Sequence, residues 1–173
     1  STLRSGRLIS AIGAGISAAA GTADAIVDLT NVGIHDNTAT TRGGGINVFE
    51  GVNTTTVNVS FSTVKDNESA EGAGINNVDA NPGTVNLLNS IFDLNGTNSG
   101  TSTNCDGPSG MGSNLINDLG GNVSSDATCA TTVNSQDNEN IMMGPLQDNG
   151  GCILTSRPMM GSQAINFIEE VDC

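Results

Sequence analysis

The sequence predicts an all-β fold, a right-handed parallel β-helix (β-solenoid) with about 30 residues per coil. Three observations predict it. A phrase returns as Gly13-Ala14-Gly15-Ile16, Gly43-Gly44-Gly45-Ile46 and Gly72-Ala73-Gly74-Ile75, its first glycines 30 and then 29 residues apart. An asparagine recurs in step at Asn37, Asn67 and Asn95, 30 and then 28 residues apart. Apolar positions recur with it: Val27, Val57 and Val85; Leu29, Val59 and Leu87; Ile34, Val64 and Phe92. Within each repeat these alternate with polar residues, as in Val57-Asn58-Val59-Ser60, which is the period of a half-buried strand. No segment has helical periodicity.

The whole chain, 1–173, reads as one domain of about five or six coils. Residues 1–12 read as an apolar and basic leading strand with two equal readings: it docks on the next subunit, with Leu3, Arg4, Arg7, Leu8 and Ile9 as the contact candidates, or it begins the first coil of a monomeric fragment of a larger adhesin. Residues 13–100 are the regular coils, each with two short strands and a glycine-led third, separated by turns rich in Asn, Asp, Thr and Gly. Stacked about 4.8 Å apart, the apolar columns build a core that no single coil buries alone. The recurring asparagines fall at the inward phase beside a turn, where an amide donates and accepts along the stack. The glycines suit close backbone approach at a coil corner. A phosphate cradle needs a helix after the glycines, whereas Ile46-Asn47-Val48-Phe49 reads as strand.

Residues 101–173 are irregular coils and hold all four cysteines, Cys105, Cys129, Cys152 and Cys173. The set lacks a Cys-x-x-Cys pair, which argues against zinc and for disulfides in an oxidising compartment. Of three pairings, Cys105 with Cys129 and Cys152 with Cys173 close local loops and are favoured.

Five Lys and Arg stand against 18 Asp and Glu, a net charge of -13. Such a surface repels nucleic acid and anionic lipid. The charge is uneven: residues 1–42 are neutral, whereas the trailing end carries Glu169, Glu170 and Asp172. A basic leading edge and an acidic trailing edge suit a head-to-tail homopolymer. No apolar run approaches the ~20 residues of a membrane span, and the chain opens without a secretion signal, so it is expected to be a piece of a larger exported precursor. Of five N-x-[ST] sequons, at Asn53, Asn58, Asn67, Asn95 and Asn122, Asn67 and Asn95 are expected to face inward, and Asn53 and Asn58 are the glycosylation candidates.

Asp36-Asn37-Thr38-Ala39 followed by Arg42-Gly43-Gly44-Gly45-Ile46, and Thr84-Val85-Asn86-Leu87, resemble coils of bacterial polymorphic-outer-membrane-type and pectin-lyase-like surface proteins. The tail, from Asn104-Cys105-Asp106 through Gly144-Pro145-Leu146-Gln147-Asp148-Asn149-Gly150-Gly151 to Gly161-Ser162-Gln163-Ala164-Ile165-Asn166, resembles the choice-of-anchor Q domain of secreted bacterial proteins. The resemblance implies an exported β-helix closed by the Gly-Pro-Leu to Ala-Ile segment, and no reaction. Cys152 and Ile153 depart from that family's usual Pro and Thr, suggesting an additional disulfide.

The fold suggests an enzymatic alternative, a polysaccharide lyase or glycoside hydrolase, with His35 above Lys65 and Asp36 above Asp66 as its catalytic candidates. Asp36 and Asp66 are also Ca²⁺ candidates, and no other cofactor is expected. Against catalysis, the next coil carries Asp93 and Leu94 at these positions, which reads as a variable outward surface. The chain also lacks Trp and Tyr, the usual sugar platforms. The expectation is a non-enzymatic structural or adhesive protein of the cell surface, self-assembling into a filament, with surface glycans as the other partner class left open.

Overall fold

A computed structural model describes residues 2–4, 7–8, 15–49, 52–78, 82–96, 103–107, 109–110, 115–129, 132, 134–151 and 154–167. Among these there are sixteen strands and no helix. The leading strands are β1 (Thr2–Arg4) and β2 (Arg7–Leu8). The first full coil holds β3 (Ile16–Ala19), β4 (Ala25–Thr30), β5 (Gly33–His35) and the short β6 (Thr38–Ala39). The second holds β7 (Ile46–Phe49), β8 (Thr55–Ser60) and β9 (Thr63–Lys65), and the third β10 (Ile75–Asn76), β11 (Thr84–Leu88) and β12 (Ile91–Asp93). A partial fourth follows with β13 (Cys105–Asp106), β14 (Ser109–Gly110), β15 (Ile116–Asp118) and β16 (Val123–Ser124).

Like strands of successive coils pair in parallel, giving three long sheets: β1-β5-β9-β12-β16, β3-β7-β10-β13 and β4-β8-β11-β15-β14. The chain is a β-solenoid. Three full coils with partial coils at either end replace the five or six expected, because the named strands end at Ser124 and the described tail adds to the stack one isolated parallel bridge, Val123 to Gln136. There, isolated antiparallel bridges join Met143 to Pro158 and Gln147 to Thr155. A small second core of Val123, Ile141 and Met143, with Ile91, Ala164 and Phe167 against it, seats this tail on the last coil.

The sequence columns are in register. Val27 pairs with Val57 and Val57 with Val85, Leu29 with Val59 and Val59 with Leu87, and Ile34 with Val64 and Val64 with Phe92. Val57, Val85, Val59, Leu87, Ile34, Val64 and Phe92 are at most 1% exposed. Each coil turns through left-handed residues: Asn31, Phe61 and Asn89 at one corner, Asp36, Asp66 and Leu94 at the next, and Gly43 and Gly72 before the glycine-led strand. Gly43 has φ of 60° and its Cβ would lie 2.5 Å from Asn47 Cβ, so both backbone and space require glycine there.

Of the two readings of the leading segment, its pairing follows the one in which it begins the first coil. Strand β1 pairs with β5, placing Leu3 beside Ile34 and Arg4 beside His35, and β2 pairs with β6, placing Arg7 beside Thr38 and Leu8 beside Ala39. It starts the first coil of its own chain. Ile9, Glu169, Glu170 and Asp172 lie outside the described residues.

Candidate functional site

The candidate catalytic residues gather at the corner that follows β5, β9 and β12. Backbone register places His35 beside Lys65 and Lys65 beside Asp93, one residue from each coil. Strand alternation turns them away from the core column of Ile34, Val64 and Phe92. Yet His35 is 3%, Lys65 5% and Asp93 3% exposed, so the column is a buried part of the wall and not the variable outward surface its residue types suggested.

Burial pushes the His35 imidazole below its ordinary value and Lys65 reinforces this, while Asp36 and Asp66 pull upward. The Lys65 ammonium is paired with the Asp66 carboxylate. Burial raises Asp93, opposed by Lys65 and by a Ser125 hydroxyl, with Asp66 adding to the rise. Asp93 Oδ2 is buried without a hydrogen-bond partner among the described residues. Asp36 and Asp66 stand at successive left-handed corners, the first exposed and the second committed to Lys65. Among the described residues, no three or more His, Cys, Asp or Glu are grouped to hold a metal ion. The column can balance charge within the wall, but its base and cation are shut away from a substrate.

The recurring asparagines do what their phase implies. Asn37 Nδ2 donates to Asn67 Oδ1 at 2.9 Å and Asn67 Nδ2 to Asn95 Oδ1 at 2.8 Å. The backbone N–H of Asn37 and of Asn67 donates to the same oxygens, at 3.1 Å in both cases. Asn67 and Asn95 are fully buried, as expected of those two sequons. The sequence repeat does not reveal the ladder's end. Asn104 stands before Cys105 as Gly74 stands before Ile75, and from that glycine position its side chain enters the asparagine column, Oδ1 accepting from Asn95 Nδ2 at 2.9 Å.

The glycosylation candidates have engaged amides. Asn53 Nδ2 donates to the Gly21 carbonyl oxygen at 2.8 Å, and Asn58 Nδ2 to Asp28 Oδ1 at 2.7 Å. Asn58 belongs to an outer ladder with Asn86 and Asn117, each amide nitrogen donating to the preceding coil.

Two further charged groups escaped sequence reasoning. Arg42 Nε pairs with Glu71 at 2.6 Å across two coils, and Arg42 Nη1 donates to the Val78 carbonyl oxygen. Asp118 is buried, which pushes its carboxyl up. The Thr132 and Gly120 N–H groups, the Ser135 hydroxyl and the Asn122 amide outweigh that and hold it below the usual range. Position along the repeat locates Arg42 and Glu71, 29 residues apart. Nothing comparable marks Asp118.

The disulfide joins Cys105 and Cys129, one of the two pairs favoured from the sequence, whereas Cys152 and Cys173 lie outside the described residues. No helix among the described residues is long and apolar enough to cross a membrane. No family model, curated protein or solved structure matches the chain.

Proposed function

We propose that this chain is an extracellular, non-enzymatic structural or adhesive β-solenoid whose coils stack end to end with those of further copies to build a surface or shed filament. The observation that carries it is the use made of polar side chains: the asparagine ladders run along the solenoid axis, and two of the four catalytic candidates, His35 and Lys65, are sealed into the wall. Such a module resists lateral disruption, and its backbone pairing has a direction along which more strands can add. The disulfide suits an oxidising compartment, and the resemblance to exported surface β-helices points the same way. Because β1 and β2 pair within their own chain, association proceeds by stacking of ends, not by donation of a strand. The basic leading edge and acidic trailing edge favour one polarity.

Negative-stain electron microscopy of the purified chain, with light scattering of the same sample, tests this. Fibres with a regular axial repeat, weakened in an Arg4→Glu, Arg7→Glu double variant, are expected. Single particles at every concentration would overturn the assembly. The enzymatic reading is checked separately by incubation with acidic polysaccharide: uronate oligosaccharides that disappear in Asp36→Ala or Asp66→Ala would replace the structural proposal.

A further inference from the structure

On the outer side of the glycine-led sheet, Ser17, Asn47, Asn76 and Asp106 stand in one register column. Asn47 and Asn76 are each 1% exposed, and Asn76 Nδ2 donates to Asn47 Oδ1 at 2.8 Å. That bond fixes the orientation of the Asn76 amide, nitrogen toward the second coil and oxygen toward the fourth. The residue waiting there is Asp106, another acceptor. Accordingly, Asn76 Oδ1 has no hydrogen-bond partner among the described residues.

The outer ladder of the neighbouring sheet shows why this end is unusual. There the amide nitrogens also point toward the start of the chain, and the row begins on a carboxylate, Asp28, which accepts from Asn58 at 2.7 Å. A carboxylate at the accepting end completes a ladder. At Asp106 the carboxylate stands at the opposite end of the row, where it has no donor to offer Asn76 Oδ1.

We infer that a hard divalent cation, Ca²⁺ by its chemistry, is held between the Asn76 side-chain oxygen and the Asp106 carboxylate. Ca²⁺ takes amide and carboxylate oxygens at about 2.3–2.6 Å, so one ion spans the spacing of about 4.8 Å between neighbouring strands. Asp106 is half-buried, which leaves room for water to complete the coordination. Its backbone is held in place by Asn77 N, which donates to the Asp106 carbonyl oxygen at 2.7 Å. The corner beneath is tight, since a Cβ on Gly72 would lie 2.7 Å from Asn76 Cβ. The nearby cation, Arg42, is already committed to Glu71 and the Val78 carbonyl. This site is distinct from the Asp36 and Asp66 corner and does not depend on the proposed assembly.

The test compares the full chain with Asp106→Asn, an isosteric change that supplies an amide donor to Asn76 Oδ1 and so continues the ladder without metal. Thermal unfolding is followed in chelator-treated buffer of fixed ionic strength, with CaCl2 raised to about 10 mM, above the weak range of extracellular Ca²⁺ modules. Equilibrium dialysis with radioactive Ca²⁺ counts bound ions. The parent chain is expected to gain melting temperature saturably and to bind one more ion than Asp106→Asn. That variant is expected to melt above the metal-free parent and to lose the saturable gain. Asp66→Asn is expected to keep both gain and ion. Equal Ca²⁺ responses in parent and Asp106→Asn, no response in either, or loss of the response in Asp66→Asn alone would overturn the inference.

Discussion

Asn67 lies directly against the backbone of Gly45: a Cβ on Gly45 would sit 3.1 Å from Asn67 Nδ2 and 2.6 Å from the Gly74 carbonyl oxygen. The same relation joins Gly15 to Asn37 and Gly74 to Asn95, so the glycine phrase and the asparagine ladder are one device repeated in each coil. Glycine is required because the amide and the next coil's carbonyl fill the space a side chain would take.

Gly45→Ala is therefore expected to cost about 1–3 kcal/mol by overpacking, although alanine adds apolar surface to bury. Asn67→Ala removes the bonds it accepts from Asn37 N and Asn37 Nδ2 and the one it donates to the Ile34 carbonyl, and at about 1 kcal/mol for each buried bond the loss is about 3 kcal/mol. Asn58→Ala, on the outer ladder where water replaces the lost bonds, is expected to cost under about 1 kcal/mol. Urea unfolding of the three variants checks the order; equal losses for Asn67→Ala and Asn58→Ala would mean that the inner ladder has no special weight.

His35 is the only histidine of the chain, which gives its titration a clean signature. Its folded form is held below the ordinary value of 6.5 by burial, so below that pH the unfolded chain binds the proton first. Stability is then present in full above about 6.5 and is lost as pH falls through the folded value. Asp93, raised by burial, acts with the opposite sign, its contribution declining as pH rises above 3.8. The urea midpoint is expected to drop as pH falls below about 6.5, and His35→Gln is expected to flatten that slope. An unchanged slope in the variant would assign the loss to carboxylates.

The solenoid and its apolar columns were legible because stacking forces the same residue types to recur one coil apart, as in Val27, Val57 and Val85. Burial of His35, Lys65 and Asp93 was not legible, since chemically unlike residues in register look like a tolerant surface when read one coil at a time. Side-chain length and charge balance, supplied here by Lys65 with Asp66, let such a column close in the wall. The end of the stack was hidden for a related reason. Asp118 collects its donors from Gly120, Asn122, Thr132 and Ser135, which are irregular in sequence and converge only in space.

Cys105 sits in register with Ile75 and so continues the column of Ile16, Ile46 and Ile75, with its sulfur tied to Cys129. Its partner lies 24 residues on, and a loop of that length corresponds to about 3 kcal/mol of unfolded-state restriction. Both cysteines are buried, at 3% and 1% exposure, so alkylation after reductant is expected only with denaturant present. The Cys105→Ser, Cys129→Ser variant is expected to lose about 3 kcal/mol in urea unfolding while retaining its strand content by circular dichroism. Ready labelling of the native chain would show that the fourth coil opens on its own.

Asn104 supplies the sharpest test of how the stack ends. Repeat averaging would place glycine there, since Gly15, Gly45 and Gly74 hold the position before the first strand residue of the other coils. Yet Asn104 Oδ1 accepts from Asn95 N at 3.2 Å and Asn95 Nδ2 at 2.9 Å, while its Nδ2 donates to the Phe92 carbonyl and the Ser124 hydroxyl, each at 3.0 Å. Three coils donate forward into the next asparagine, and the fourth has none at the ordinary spacing, so the side chain from the glycine column closes the row. Asn104→Gly is expected to lose about 2–3 kcal/mol despite matching the repeat, because the two buried bonds from Asn95 N and Nδ2 to Asn104 Oδ1 are removed. A Gly74→Asn variant is expected to fail for the opposite reason, the Asn95 amide already lying 3.0 Å from where its Cβ would be. If urea unfolding finds Asn104→Gly as stable as the parent, water completes the ladder and the side chain is dispensable; a loss restored by Asn104→Asp, which keeps the accepting oxygen, would assign the effect to the two bonds from Asn95.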